Sequence, residues 1–464
     1  MATEMVPLLN SQENVDQTII SVDNELLSSV EARIREIPML LSKSASKETC
    51  CIFRVPQSLI EINEKAYQPH IVSIGPYHHG KEHLRMIEEH KGRLVSNLLD
   101  RSRKVHGGRV SLEMLIAAVA GMEGRIRECY SESIDKFNSH ELIQMMVLDG
   151  CFVIELFCVV GRLVPDFSLY DDDPIFNMEW VFFYLVRDLL RLENQIPFFV
   201  LDTLFELVCS SKGAETAPSL VSLALLYFNY ASQILQRNKN LDPKHLLDLF
   251  RLSLLPETTR PSNNVNKKIP NHQQLIQSAK NLQLAGVGFK SIKFKTKSLL
   301  DIKFTNGMLE IPSLTIDDFT TSVFLNCVAF EQCYKYCSKH VTSYAVFMGC
   351  LINTPTDAGL LCERKIIENY FGTNEEVARF FHDVGKDVAF DIQRSYLLKL
   401  FEDVNKYCNN GWHVQWAGFK HTYFETPWSF ISALAAIILL IFTFIQAFFA
   451  VYAYFLPPKG PKQH

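Results

Sequence analysis

Apolar residues recur at helical spacing along most of this chain. Within residues 81–105 the apolar positions form a single stripe, which predicts an amphipathic helix. The same periodicity predicts further helices at about 111–132, 140–160, 175–193, 197–211, 217–237, 243–252, 317–340, 341–352, 375–388 and 392–406. We therefore expect a mainly α fold, in which many helices build one large globular body.

The period of the pattern changes within residues 287–316. Apolar and polar residues alternate in the string GVGFKSIKFKTK, as they do in a strand with one buried face. The next short apolar runs flank Asn306-Gly307, a dipeptide that favours a hairpin turn. We expect a small antiparallel β insertion at about 287–316.

The carboxyl-terminal end has a different pattern. No charged residue lies between Glu425 and Lys459, and residues 430–451 are almost all Ile, Leu, Phe, Ala and Val. As a helix this run would be about 33 Å long, enough to cross the hydrocarbon core of a bilayer. We predict one transmembrane helix at 428–456. The side chains that we expect to contact lipid include Trp428, Phe430, Ile437, Leu440, Phe444, Phe448 and Tyr452.

One other apolar run, residues 145–164, is long enough to compete with that segment. It contains three charged side chains, among them Asp149 and Glu155, so it is more typical of a buried core helix. An unpaired buried charge costs several kcal/mol, so these carboxylates need cationic partners. We expect Arg187 and Arg191, in the helix at 175–193, to supply them.

These segments divide the chain into four parts. Residues 1–45 are expected to form a flexible tail that contains a short helix. Residues 46–425 are expected to form a single α-rich globular domain with an internal linker at 256–270, where Pro, Asn and Lys dominate. The transmembrane helix at 428–456 is followed by a short polar tail at 457–464.

Composition narrows the class of protein. The chain has 464 residues and a formal net charge of −5, which gives no electrostatic case for binding nucleic acid. Its twelve cysteines show no repeating spacing, which indicates reduced and mostly buried thiols. The amino terminus lacks the basic and apolar regions of a secretory signal. We expect a single-pass, tail-anchored protein of the plasma membrane or an endomembrane, with its bulk facing the cytosol.

A group of histidines and glutamates at 78–90 is one weak candidate for chemistry. His79 and His83 have the i, i+4 spacing of helical zinc ligands, and Glu82 is a nearby carboxylate. That spacing is useful only if the intervening glycine is already helical, whereas the Gly-Pro pair upstream favours a loop. The simpler interpretation is a turn whose histidines hydrogen-bond the start of the following helix.

A second weak candidate is Cys333, Cys337 and His340, in the pattern C-x3-C-x2-H on one face of one helix. Three such ligands could bind a metal ion, but a structural zinc site uses four, usually from two elements. Nothing nearby in the sequence supplies the fourth. Small thiols in a helical core explain the same residues, and we expect no cofactor.

Several strings stand in a fixed order along the chain, namely FRVPQSLIEINEKAYQPHIVSIGPYHHGKEH, MVLDGCFVIELF, RDLLRLENQIPFFVL, LDIKFTNGMLEIPSLTIDD and YFETPWSFISALAAIILL. Together they resemble a plant family catalogued as "domain of unknown function 247". The resemblance begins at about residue 50, runs to the apolar carboxyl-terminal helix and keeps the order of the blocks. It implies a plant protein with a carboxyl-terminal membrane segment and no assigned enzymatic activity, and it supplies no catalytic residues. Some grass members are implicated in pollen-side self-recognition, so the resemblance implies a role in interaction or signalling.

Two classes of function remain open. The first is a cytosol-facing module for protein interaction, recognition or signalling, with unknown protein partners and with self-association as an open question. The second is a membrane-tethered, hydrolase-like enzyme, which requires His79, His83 and a carboxylate to converge in a pocket. A binding module would instead present an exposed apolar or aromatic patch, with the histidines apart. A further alternative is that the lysines at 290–297 contact anionic lipid.

Overall fold

A computed structural model describes residues 24–35, 43–105, 110–164, 170, 172–209, 218–232, 241–256, 275–292, 298–386, 388–409 and 427–455. The predicted linker at 256–270, except residue 256, lies outside these ranges, as do 293–297 of the basic run and the tail at 457–464.

The helices up to residue 232 are α1 (Asn24–Arg35), α2 (Gln57–Ile60), α3 (Arg85–Val105), α4 (Leu112–Ala120), α5 (Glu123–Glu128), α6 (Ser139–Val160), α7 (Pro174–Asn177), α8 (Glu179–Asp188), α9 (Phe198–Cys209) and α10 (Leu220–Ser232). Those that follow are α11 (Leu246–Ser253), α12 (Ala279–Leu284), α13 (Asp318–Cys333), α14 (His340–Leu351), α15 (Pro355–Glu363), α16 (Asn374–Gly385), α17 (Leu398–Cys408) and α18 (Pro427–Phe455). The predicted mainly α fold is confirmed.

Helix α6 forms the centre of the body and packs against α3, α4, α9 and α10. It begins with a capping box, in which the Asn138 side chain accepts from the Glu141 N–H and the Glu141 carboxylate accepts from the Asn138 N–H. Fifteen of its residues are buried, including Asp149 and Glu155. The helix is therefore apolar on all sides because it is surrounded by other helices.

The predicted β insertion is present, but its pairing is mixed. Strands β2 (Lys303–Thr305) and β3 (Met308–Pro312) form the expected antiparallel hairpin around Asn306-Gly307, both of which have positive φ. Strand β1 (Gly288–Ile292) runs parallel to β3 on its other edge, so the expectation of a purely antiparallel sheet is wrong. The reason is that Leu309 and Ile311 of β3 are fully buried, and the central strand therefore needs a partner on both edges.

A second, two-stranded sheet joins β4 (Leu314–Ile316) to β5 (Ile367–Asn369) in parallel. Strand β5 was not predicted because three residues are too few to show a period. The predicted helix at 317–340 is also too long, since α13 ends at Cys333 and Tyr334 adopts an extended conformation. The carboxylate of Glu331 explains this reversal: it accepts the N–H groups of Val341 and Thr342 and so caps α14.

Two helices of the described residues are long and apolar enough to span a membrane, namely Ser139–Val160 and Ile431–Tyr452. The first is 78% buried within the body, whereas none of the second is buried. The consecutive helices α14 and α15 would also qualify as one broken span, but they meet at an angle of 105° and both have buried faces. The helix predicted at 428–456 is therefore present as α18.

Candidate functional site

The segment from Ala66 to His78 is irregular but buried, and acidic and amide side chains satisfy its backbone. One carboxylate oxygen of Asp188 accepts the N–H of His70 and of Ile71, each at 2.8 Å. The Asn194 side chain accepts the N–H of Ile74 at 2.7 Å. An irregular segment has no neighbouring strand or helical turn to accept hydrogen bonds from its N–H groups, so these side chains supply the acceptors.

Asp149 of α6 holds the same segment from a second side. Its carboxylate accepts the Gly75 N–H at 2.7 Å and lies 2.5 Å from Nζ of Lys91, a fully buried lysine of α3. Lys91 also donates to the Ser73 carbonyl at 2.6 Å. Burial raises the pKa of Asp149, and the Lys91 ammonium opposes that shift. Asp149 is thus paired, as its burial demanded.

The partners predicted for the two carboxylates of α6 are wrong. Glu155 binds Arg101 of α3 through two bonds of 2.6 and 2.5 Å, and the Tyr170 hydroxyl also donates to it. Arg191 instead pairs with Asp188 and donates to the Ala66 carbonyl. The reason is that α3, which supplies both Lys91 and Arg101, packs directly along α6.

A third buried group surrounds Glu193. Its carboxylate binds Arg54 at 2.7 Å and the Val55 N–H at 2.8 Å, and Nε2 of His78 lies 3.2 Å away. Burial alone would raise the pKa of Glu193, but His78 and Arg54 outweigh it and lower that pKa. Burial lowers the pKa of His78, so its imidazole is held neutral at this position. The group joins the loop after α8 to the start of the body.

The histidine and glutamate candidates at 78–90 have separate neighbours. The exposed ring of His79 packs edge-on against Phe137, and Nε2 of His83 lies 3.3 Å from the Pro69 carbonyl. Exposed Glu82 lies 3.6 Å from Arg85. Between the two histidines, Gly80 has φ of +81°, so they do not share a helical face. The geometry does not bring His79, His83 and Glu82 together.

Cys333, Cys337 and His340 do not lie on one helix, so that premise of the second candidate is wrong. Cys333 ends α13, Cys337 lies in the following turn, and His340 begins α14. The thiol of Cys337 donates to the Tyr334 carbonyl at 3.1 Å, whereas the His340 ring stacks on Tyr396 at 4.5 Å. In the part of the chain that the structure describes, no three His, Cys, Asp or Glu side chains are placed to hold a metal ion.

Two clefts open on the body away from the histidine candidates. One, of about 270 Å³, lies beside α16, and the other, of about 800 Å³, lies between α12, α14, α15 and α16. Neither is lined by His79, His83 or Glu82. The described clefts therefore do not assemble the catalytic group that the enzyme hypothesis requires.

The outer face of α8 carries a patch of exposed aromatic residues. Trp180 is 49% exposed and Phe183 is 38% exposed, although both are large and apolar. The Arg187 guanidinium lies 5.6 Å from the Phe183 ring and 5.7 Å from the Tyr184 ring. Its buried Nε has no hydrogen-bond partner among the described residues. We call Trp180, Phe183, Tyr184 and Arg187 the α8 face.

Side chains of α18 point away from the body throughout its apolar window. Trp428, at its start, is 81% exposed. The other expected lipid-contacting residues whose side chains the structure describes are also exposed, namely Ile437, Leu440, Phe444, Phe448 and Tyr452. Phe430 lies within the same helix. No packing among the described residues explains so much exposed apolar surface on one helix.

The fold and these contacts define a mainly helical protein with a buried polar centre and one exposed apolar helix near its carboxyl-terminal end. Residues 52–442 match the family model described as "Plant protein of unknown function" (DUF247), and the chain belongs to that family. It is 41% identical over 444 residues to "UPF0481 protein At3g47200" of Arabidopsis thaliana, with 91% of this chain and 90% of that protein covered. It is 24% identical over 502 residues to "Putative UPF0481 protein At3g02645" of Arabidopsis thaliana, with 88% and 91% covered. No solved structure matches the chain.

Proposed function

We propose that this protein is a membrane-anchored interaction module, held in a bilayer by α18 and presenting its helical body to the cytosol. The observation that carries the proposal is the contrast in burial: none of Ile431–Tyr452 packs against the body. A helix of that length spans about 33 Å, which matches the hydrocarbon core. Insertion would remove this apolar surface from water, and no other contact among the described residues does so.

The cysteines support a cytosolic orientation. All twelve are free thiols, although several lie close to one another in the body. Such thiols persist in a reducing compartment and tend to be oxidised in the secretory pathway. We therefore place the body in the cytosol, with α18 in the plasma membrane or an endomembrane.

The α8 face is the surface that we propose for a protein partner. Trp, Tyr and Arg are the residue types that contribute most to binding energy at protein interfaces. Arg187 offers a cationic donor beside two aromatic rings, so a carboxylate of the partner would complement it. An acidic segment of a recognition or signalling protein fits this chemistry. Self-association through α18 stays a prediction.

Proximity labelling in plant cells, with the labelling enzyme at the amino terminus, tests both parts of the proposal. We compare the full chain, a chain without residues 427–455, the double variant W180A/F183A and the control Leu284→Ala, which removes an exposed side chain of α12. We expect the double variant to stay on membranes and lose specific neighbours, and the control to keep them.

Each part of the proposal can fail separately. Loss of membrane neighbours in the chain without α18 supports anchoring, whereas their retention would contradict it. Equal neighbour sets for W180A/F183A and Leu284→Ala would exclude the α8 face as the partner surface. Labelling of lumenal or cell-wall proteins by the full chain would reverse the proposed orientation.

A further inference from the structure

Two of the free thiols touch each other at the ends of neighbouring helices. Sγ of Cys158, in the last turn of α6, lies 3.8 Å from Sγ of Cys209, the last residue of α9. The residues are 51 positions apart in the sequence, so the packing of α6 against α9 creates the pair. Cys158 is buried and Cys209 is half-buried. Cys209 is therefore the more exposed residue of the pair, and we expect a reagent from solvent to reach it first.

The contact with Cys158 and the nearby Arg101 favour a thiolate at Cys209, although burial and Glu155 oppose it. The hydrogen bond from Cys158 lowers the pKa of Cys209, burial opposes this, and nearby Arg101 lowers it further. The net direction is downward. The pKa of Cys158 rises, because its hydrogen bond with Cys209 and its burial both favour the protonated thiol. Arg101 is itself fixed by its two bonds to Glu155, one turn before Cys158.

Other cysteines of similar exposure have a different environment. Cys350 and Cys362 are also half-buried, but burial raises the pKa of the first to about 11 and raises that of the second. Cys151, on the same helix as Cys158, has its pKa raised by burial to about 12. An accessible sulfur with a second sulfur in contact and an arginine nearby is the arrangement of a reversible redox site.

We propose that Cys158 and Cys209 are a reversible thiol–disulfide site that a hydroperoxide oxidises. The Cys209 thiolate attacks one peroxide oxygen, the O–O bond breaks, and a sulfenic acid forms with release of water or an alcohol. The Cys158 sulfur then attacks the Cys209 sulfur, the S–O bond breaks, and the leaving oxygen takes the Cys158 proton as water. The two thiols together lose two electrons and two protons, which reduce the peroxide.

Closing the bond requires the sulfur atoms to approach from 3.8 Å to about 2.05 Å. The bond would close a loop that contains α8 and its exposed face, as well as Asp188 and Glu193 of the buried polar centre. Oxidation should therefore raise the thermal midpoint of the body, because it restricts the unfolded chain. Membrane insertion plays no part in this proposal.

The test treats the full chain, in detergent micelles, with hydrogen peroxide and maps the products by mass spectrometry. We expect the intact mass to fall by about 2 Da, a peptide pair joined through Cys158 and Cys209, and full reversal by dithiothreitol. In Cys158→Ser, a dimedone adduct should accumulate at Cys209 because the sulfenic acid has no partner. The matched control Cys362→Ser should form the link as the wild type does.

A second measurement needs no variant and so does not depend on the folding of Cys158→Ser. The reduced wild-type chain is alkylated at pH 7 with N-ethylmaleimide, and the rate at each cysteine is followed by peptide mass. We expect Cys209 to react about tenfold faster than Cys350 or Cys362, because only its thiolate is stabilised. Equal rates at these three cysteines, or oxidation that joins other cysteines first, would overturn the proposal.

Discussion

Helices α6 and α18 have similar apolar composition, yet their surroundings in the molecule are opposite. Each contains a 22-residue segment that is long and apolar enough to span a membrane, but 78% of the first is buried in the body and none of the second. Helix α6 contains Asp149 and Glu155, both paired with cations of α3. Helix α18 has no charged residue. Length and apolar content thus make both helices candidate spans, but only α6 carries charged side chains, and the body pairs them.

The physical reason is that a buried carboxylate needs a donor that lipid cannot supply. Asp149 is satisfied by Lys91 and the Gly75 N–H, and Glu155 by Arg101 and Tyr170. In hydrocarbon each carboxylate would be unpaired, at a cost of several kcal/mol. Helix α6 therefore belongs in the protein core, whereas α18 would bury no charged side chain on entering a bilayer.

Removal of α18 should give the largest effect. A chain that ends at Thr426 is expected to move entirely from the carbonate-resistant membrane fraction to the soluble fraction. The thermal midpoint of its body should not change, because the window Ile431–Tyr452 has no buried residue. Leu440→Ala, which keeps the helix apolar, should stay on the membrane as the control. A truncated chain that still sediments with membranes would contradict the proposal that α18 is the membrane anchor.

Asp149→Ala should cause the largest loss of stability in α6. The substitution leaves Lys91 with only the partly exposed Glu88, 2.6 Å away, as a carboxylate partner, and it leaves the buried Gly75 N–H without its acceptor. The free energy of unfolding should therefore fall by about 2–4 kcal/mol. Asp100→Ala serves as control, because Asp100 is an exposed carboxylate of α3 that pairs with Arg103, and it should cost under about 1 kcal/mol. Urea denaturation of the full chain in micelles measures both. Equal losses would mean that the charges of α6 do not hold it in the core.

Acid should loosen the body and leave α18 in place. Burial lowers the pKa of His340 to about 4, against about 6.5 in an unfolded chain. The unfolded chain therefore binds the extra proton first, and stability present above pH 6.5 is lost as the pH falls towards 4. His340→Phe keeps a ring beside Tyr396 but cannot take up a proton. On acidification its free energy of unfolding should therefore fall by about 3 kcal/mol less than that of the wild type. The pKa of His245 is also lowered to about 4, so this residue should still destabilise the variant as the pH falls.

The measurement for this acid effect is the free energy of unfolding at pH 7 and pH 4.5, with membrane association followed in parallel. His79→Phe is the control, because that ring is exposed on the surface of the body. The same pH dependence in His340→Phe and in the wild type would contradict the assignment. Release of the full chain from membranes over this range would contradict the independence of α18.

The smallest expected difference separates two glycines, one within the buried segment that contacts α6 and one just beyond its end. Gly75 and Gly80 have φ of +75° and +81°, so alanine is strained at both positions by about 1–2 kcal/mol. Only at Gly75 would the added Cβ lie 2.5 Å from a backbone oxygen, that of Gln195. Gly75→Ala should therefore cost about 1–3 kcal/mol more than Gly80→Ala in urea denaturation. Equal losses in the free energy of unfolding would mean that the backbone at Gln195 can shift to accommodate the added Cβ.

Helical periodicity predicted the bounds of a helix well where that helix is long and has a clear apolar pattern. The helix predicted at 140–160 is Ser139–Val160, and the one predicted at 81–105 is Arg85–Val105 after a short 3₁₀ turn. Periodicity is a local property of the sequence, so it could not predict which distant helices and strands contact each other. The parallel pairing of β1 with β3, and of β4 with β5, depends on such long-range contacts.

The same limit applies to the site. The sequence indicated that Asp149 and Glu155 must be paired, since burial of an unpaired charge is too costly. It could not indicate that α3 lies beside α6, and so it missed Lys91 and Arg101. The contact between Cys158 and Cys209 was missed for the same reason. A recognisable signal did exist in RDLLRLENQIP, where many polar residues interrupt an apolar run and later bind a buried backbone.

The proposal requires that α18 contacts lipid, whereas α6 lies in the protein core. Photolabelling of the full chain in vesicles that contain a carbene precursor on the lipid acyl chain tests this directly. Because the carbene inserts into whatever surrounds it, peptide mapping reads out which helix touches hydrocarbon. The account predicts label within residues 431–452 and none within 139–160. Label within 139–160, or an unlabelled α18, would contradict it.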